Sequence, residues 1–145
     1  MDPPAPSWEP IQECVEAFVV ARHPLRILLL RRAPNRGDFW QPVSGKVEPT
    51  DVSYAAAALR ETEEETGFTE VGRVIDLDWS LTFLWNGKRP FRVHGFAAEV
   101  PGERRPHLSR EHQAYRWCSP SEALSLLFHP DNRDSLLRLQ QRIGP

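Results

Sequence analysis

The residues with most capacity for chemistry are packed into one short segment. Arg60-Glu61-Thr62-Glu63-Glu64-Glu65-Thr66-Gly67 places four carboxylates within five positions, behind the helix-forming run Ala55–Leu59. At about 100° per residue, Glu61, Glu64 and Glu65 fall within roughly a 100° arc of such a helix. Glu63 points away from them, while Ala55, Leu59, Thr62 and Thr66 share another arc that can face a core. Gly67 ends the helix, being free to adopt the left-handed conformation of a C-terminal cap. Like charges three and four positions apart cost a helix about 0.2–0.5 kcal/mol per pair, and only Arg60 is close enough to offset them. A divalent cation would turn that penalty into a site, because Mg²⁺ takes carboxylate oxygens, waters and substrate phosphates as ligands. The other reading of the cluster is an exposed acidic helix without a ligand.

Together with the residues before it, the segment resembles the Nudix hydrolases. Their box runs Gly, five residues, Glu, seven residues, Arg-Glu, an apolar residue, any residue, Glu-Glu, any residue, Gly and an apolar residue. Gly45, Arg60, Glu61, Glu64, Glu65, Gly67 and Phe68 match it. The sequence departs from it in three ways: Asp51 replaces the first Glu, eight residues separate it from Arg60, and Thr62 replaces the apolar residue. The extra residue falls between loop and helix, where it can be absorbed without rotating the later glutamates.

The resemblance implies an α/β/α sandwich with a mixed sheet, of α+β or α/β class. It also implies Mg²⁺ (or Mn²⁺) held by Glu61, Glu64 and Glu65, with the Gly45 carbonyl as a further ligand. Arg60 would hold a glutamate by ion pairing, and Asp51 would brace the loop or reach metal through water. Glu111 stands where related enzymes place a metal-binding or base carboxylate; its alternative is a solvated loop acid. Glu64 or Glu65 could itself activate water, so the base stays open. His112 is read as structural. Arg31, Arg32, Arg36 and Lys46 are placed to meet phosphates, and Trp40, Phe83 or Trp85 to stack a nucleobase. Trp79 and Trp117 belong to the core, and Phe39 packs.

Composition sets the outer bounds. A chain of 145 residues is the size of one domain with its own core. A formal net charge of −2 gives no general grip on nucleic acid. No apolar run reaches the length of a membrane span, and MDPPAPSWEP lacks a signal-peptide pattern. Cys14 and Cys118 are too few and too far apart for a disulfide framework or zinc motif, so reduced thiols and a cytoplasmic protein are expected. The oligomeric state is open between a monomer and a homodimer.

Along the chain, residues 1–10 read as an extended Pro-rich arm and 11–145 as a single domain. Cys14–Ala21 and Leu25–Arg32 form a hairpin about His23-Pro24. Strand material follows the acidic helix over Val71–Leu77 and Asp78–Leu84. Asn86-Gly87 then signals a hairpin that pairs Leu81–Trp85 with Phe91–Val100. Pro101–Arg110 is a polar, basic loop. Tyr115–Cys118 is a short strand, and Ser119 caps a helix with Pro120 at its first position. A closing helix, Asn132–Ile143, presents Leu136, Leu137, Leu139 and Ile143.

Two functional classes follow. In the first the chain is a metal-dependent pyrophosphohydrolase. Leu28–Arg32, Phe39–Gly45 and Asn132-Arg133 look most like the branch acting on deoxynucleoside and dihydroneopterin triphosphates, giving monophosphate and pyrophosphate. Glu111–Trp117 is shared with asymmetric dinucleoside-tetraphosphate hydrolases, which are the alternative. The second class is a Nudix-fold module that binds a nucleotide or RNA without cleaving it. A binding module has no need of the intact Arg60-Glu61 and Glu64-Glu65 pairs.

Overall fold

The computed structural model describes residues 10–144, so the expected N-terminal arm, except for Pro10, lies outside the described residues. The fold is built on β1 (Gln12–Ala21), whose run of apolar residues feeds both faces of a sheet. Val15, Ala17 and Val19 enter one core, and Phe18 and Val20 enter the other. This is the pattern of a strand covered on both sides. β2 (Arg26–Arg32) returns antiparallel to it, with Val19 opposite Leu28, as the expected hairpin. β3 (Trp40–Gln41) pairs with β2, and β4 (Val43–Lys46) pairs with β1, placing Gly45 opposite Val15.

α1 (Tyr54–Thr66) follows, and then the long hairpin of β5 (Arg73–Trp85) and β6 (Arg89–Glu99). Asn86 and Gly87 both adopt positive φ in its turn, closed by the Lys88 N–H donating to the Trp85 carbonyl at 3.0 Å. β5 is one strand with a register shift between Asp76 and Ser80, which joins the two expected pieces. β6 lies parallel to β1, and β7 (His112–Cys118) lies antiparallel to β2, so the sheet is mixed.

α1 covers the first face with Ala57 and Ala58. α2 (Pro120–Leu126) and α3 (Pro130–Ile143) cover the second with Ala123, Leu136 and Leu139. The result is the α/β/α sandwich of α+β type that the motif implied. Ser119 caps α2 in a full capping box with Glu122. On α3, Leu137 is exposed instead of packed, because it falls between the buried Leu136 and Leu139 on a helix with a single covered face.

The inward arc of α1 also differs from expectation. Ala57, Ala58, Thr62, Glu65 and Thr66 are buried, whereas Ala55 and Leu59 are only half-buried. The helix is therefore rotated relative to the arc drawn from its apolar residues. Thr62, which stands where the box has an apolar residue, is fully buried and donates its hydroxyl to the Ala58 carbonyl at 2.8 Å.

Candidate active site

The Asp51 loop and α1 are tied together by one guanidinium. Arg60 donates from Nε and Nη2 to the two Asp51 oxygens at 2.9 and 2.8 Å, a bidentate pairing. It also donates to Glu61 Oε1 at 2.9 Å, to Glu64 at 3.2 Å and to the Lys46 carbonyl at 3.0 Å. Asp51 closes its own turn by accepting the Glu48 N–H at 2.8 Å. Arg60 beside it holds its carboxyl down at about 2. The shorter acid therefore reaches its partner, and the inserted residue is taken up before α1, where Val52 is exposed.

The three glutamates of α1 occupy different environments. Glu64 is exposed, Glu61 is half-buried, and Glu65 is buried at 3% exposure. The rotation of the helix turns Glu65 inward, where the Ser44 N–H donates to its Oε2 at 3.3 Å. Its Oε1 has no hydrogen-bond partner and lies 3.5 Å from His112 Nε2. Burial, then the charges of Glu61 and Glu111, push the Glu65 carboxyl up to about 9. Burial likewise raises Glu61, against the pull of Arg60. A Cβ at position 45 would meet the Glu61 carboxyl and push it aside, so the glycine leaves room for Glu61 to lie against β4.

Glu65, Glu111 and His112 each offer a ligand atom within 4.8 Å of the others. Glu111 enters from the loop before β7, where its carbonyl accepts the Ala33 N–H at 2.8 Å. Its carboxylate lies 3.7 Å from Arg36. His112 is buried, which pushes its pKa down to about 4 and leaves the ring neutral near pH 7. The donor set fits a hard divalent cation, because a buried carboxylate oxygen without a partner faces further carboxylates. Such an ion also offsets the cost of crowding these acids together.

The acids open onto a cleft of about 980 Å³. Arg32, Arg36 and Lys46 bring positive charge to it, and Phe83, Trp85 and Phe91 give it an aromatic wall. The ring centroids of Phe83 and Trp85 each lie 5.8 Å from that of Phe91. Arg31 and Trp40 do not line this cleft. They are partners across β2 and β3 and share one face, on which Trp40 packs against the α2–α3 core and Arg31 pairs with Asp38 at 3.0 Å. Strand alternation sends Arg31 and Arg32 to opposite sides, so the expected substrate contacts of Arg31 and Trp40 are not at this cleft.

Phe91 and His112 were not singled out from sequence as site residues. Phe91 was recoverable, since pairing across the Asn86-Gly87 turn sets it opposite Phe83. His112 was not, because its burial against Glu65 joins two elements far apart in the chain.

The family model for the NUDIX domain matches residues 12–139. The chain is 39% identical over 103 residues to the asymmetrical bis(5'-nucleosyl)-tetraphosphatase of Sus scrofa, covering 68% of this chain and 67% of that protein. It is 37% identical over 133 residues to an octanoyltransferase of Myxococcus xanthus, covering 89% of this chain but only 36% of the relative's length. The structure of the E. coli dihydroneopterin triphosphate pyrophosphohydrolase superposes with a TM-score of 0.76 at 26% identity, over 93% of this chain and 99% of that one. The chain belongs to the Nudix family, hydrolases that cut pyrophosphate bonds. No helix among the described residues is long and apolar enough to cross a membrane.

Proposed function

We propose that this single domain, residues 11–145, is a Mg²⁺-dependent (or Mn²⁺-dependent) pyrophosphohydrolase. Its substrate is a nucleoside or dihydroneopterin triphosphate, and its products are the monophosphate and pyrophosphate. The observation that carries this reading is the buried, half-unpartnered carboxylate of Glu65 among Glu61, Glu111 and His112, opening onto a cleft with cationic and aromatic walls. Glu61, Glu64, Glu65 and Glu111, with the Gly45 carbonyl, would hold the metal. When bound, the metal neutralises phosphate charge and lowers the pKa of a water. Arg32, Arg36 and Lys46 bind the phosphates, and the wall of Phe83, Trp85 and Phe91 stacks the base. Arg60 positions Glu61 and Glu64 without touching substrate. Water attacks phosphorus, the bridging P–O bond breaks, and the proton passes to Glu111, the half-exposed acid facing Glu65.

The identity to the Sus scrofa enzyme supports a second reading, asymmetric cleavage of a dinucleoside tetraphosphate. A panel of nucleoside triphosphates, dihydroneopterin triphosphate and dinucleoside polyphosphates with Mg²⁺, with products identified, separates the two. Pyrophosphate plus monophosphate is expected. Mono- plus triphosphate from a dinucleoside tetraphosphate would select the second reading, and binding without turnover would reject hydrolysis. No nucleic-acid partner is implied. The free thiols of Cys14 and Cys118, both buried, support a reducing, cytoplasmic setting.

A further inference from the structure

The cleft contains a charged group that hydrolysis does not use. Glu16 lies on β1, on the same face as Phe18 and Val20, and is 4% exposed. The Asn132 amide of α3 donates to its Oε2 at 2.8 Å, while its Oε1 has no hydrogen-bond partner. An unsatisfied buried polar atom costs about 1–3 kcal/mol, and more when charged. Ser135, also on α3, lies close enough to favour the ionised carboxyl but makes no hydrogen bond to Oε1, which stays without a donor. Glu16 lines the same cleft as Val93, Phe83 and Phe91. β1 and β6 run parallel there, with Cys14 beside Val93 and Glu16 beside Gly95, so Glu16 and Val93 project from the same face of the sheet. A planar ring stacked on the aromatic wall would thus lie beside the residue that carries this acceptor, and a small swing of the Glu16 side chain would bring the enclosed Oε1 to it.

We infer that Glu16, held by Asn132, is the specificity-determining residue of the base subsite, its Oε1 accepting a hydrogen bond from an exocyclic amino group of the base. The inference rests on the proposed reading of the cleft as a nucleotide site. Burial pushes the Glu16 carboxyl up to about 7, against the opposite pull of Ser135 and Asn132. A donor from the ligand is the missing interaction that would favour the ionised form. A site built to hydrogen-bond such a group discriminates strongly against an analogue lacking it, because the buried acceptor is then left unpaired.

The test is equilibrium binding of non-hydrolysable α,β-methylene triphosphates in amino and keto pairs, cytidine against uridine and adenosine against inosine, by calorimetry with Mg²⁺. The wild-type chain should bind the amino member of at least one pair about tenfold or more tightly, the size of one hydrogen bond to a charged group. In Glu16→Gln, Asn132 retains the amide oxygen, so an NH₂ donor takes the place of Oε1. The ratio should then fall to unity or reverse towards the keto base. Equal binding of both members in both pairs by the wild type would overturn the inference, as would an unchanged ratio in Glu16→Gln. If that variant does not fold, the wild-type ratio still decides, and Asn132→Ala, which frees the carboxylate, should reduce it. Mg²⁺-dependent hydrolysis is followed separately. Hydrolysis without an amino preference removes only the base-reading role, and a preference without hydrolysis removes only the enzymatic reading. Absence of nucleotide binding removes both.

Discussion

At the scale of single residues, the site shows how burial assigns different tasks to chemically identical groups. Glu64 faces solvent and leans on Arg60, whereas Glu65 is enclosed and pushed towards its neutral form. Glu64→Gln and Glu65→Gln should each lower kcat by about 10³-fold at saturating Mg²⁺, the scale of losing one preorganised charge contact. Glu65→Gln should also unfold at least as high in temperature as the wild type, since its pocket already favours an uncharged group. Near-normal turnover in both variants would sink the metal-ligand assignment. Lys46 and Arg31 form a second contrast. Lys46→Ala should raise KM about fivefold or more with little change in kcat, as expected for a phosphate contact. Arg31→Ala, on the opposite face, should leave both constants within about twofold. Glu16 carries a pH signature of its own. Its folded pKa, raised to about 7 from an ordinary 4.5, means that the native state binds more protons than the unfolded chain between those values. Its contribution to stability is therefore full below pH 4.5 and falls as pH rises to about 7, by roughly 3 kcal/mol. Urea denaturation from pH 5 to pH 8 should show a loss in Glu16→Gln smaller than in the wild type by about that amount, the remainder coming from Glu65, whose carboxyl is raised further still.

At the scale of elements, α1 matters because its two ends are fixed independently of what it binds. Ser53 accepts the Ala56 N–H at 3.0 Å, and Gly67, at φ 73°, returns its N–H to the Glu63 carbonyl at 2.8 Å. These caps hold the helix phase that turns Glu65 inward and leaves Glu64 outside. Ser53→Ala should cost about 1 kcal/mol in chemical denaturation, the typical loss for an N-cap. Element boundaries were largely legible in sequence, through the Asn86-Gly87 turn, Ser119-Pro120 and Gly67. The facing of α1 was less so, because alanines and threonines mark a core weakly, and the most telling buried residue on it is an acid. On β2 and β3, period-two alternation already excluded Arg31 and Arg32 as joint phosphate contacts, though the basic pair read as one unit.

At the scale of the whole molecule, the cleft gathers residues from the Gly45 strand, α1, the β5–β6 hairpin and the loop before β7. Its acids repel one another across those elements, so a bound cation should stabilise the fold and not only the reaction. Titration with Mg²⁺ in the absence of substrate should raise the melting temperature. Ligand linkage gives about 2.7 kcal/mol at a concentration one hundred times Kd. Glu65→Gln should lose most of that gain, while EDTA should leave the variant unchanged and lower the wild type.

The sequence by itself determined the family, the sandwich and the acid cluster, because acids on one helix are written in local spacing that one inserted loop residue does not disturb. It also predicted Arg60 as a clamp and the order of strands and helices. Only the tertiary structure decided which glutamate is buried, that His112 joins Glu65, that Trp40 packs away from the cleft, and that Glu16, beside the cleft, keeps one oxygen unpaired. Each of these depends on burial and on contacts between distant segments. Such contacts set the charge state and reach of a side chain without leaving a periodic trace along the chain.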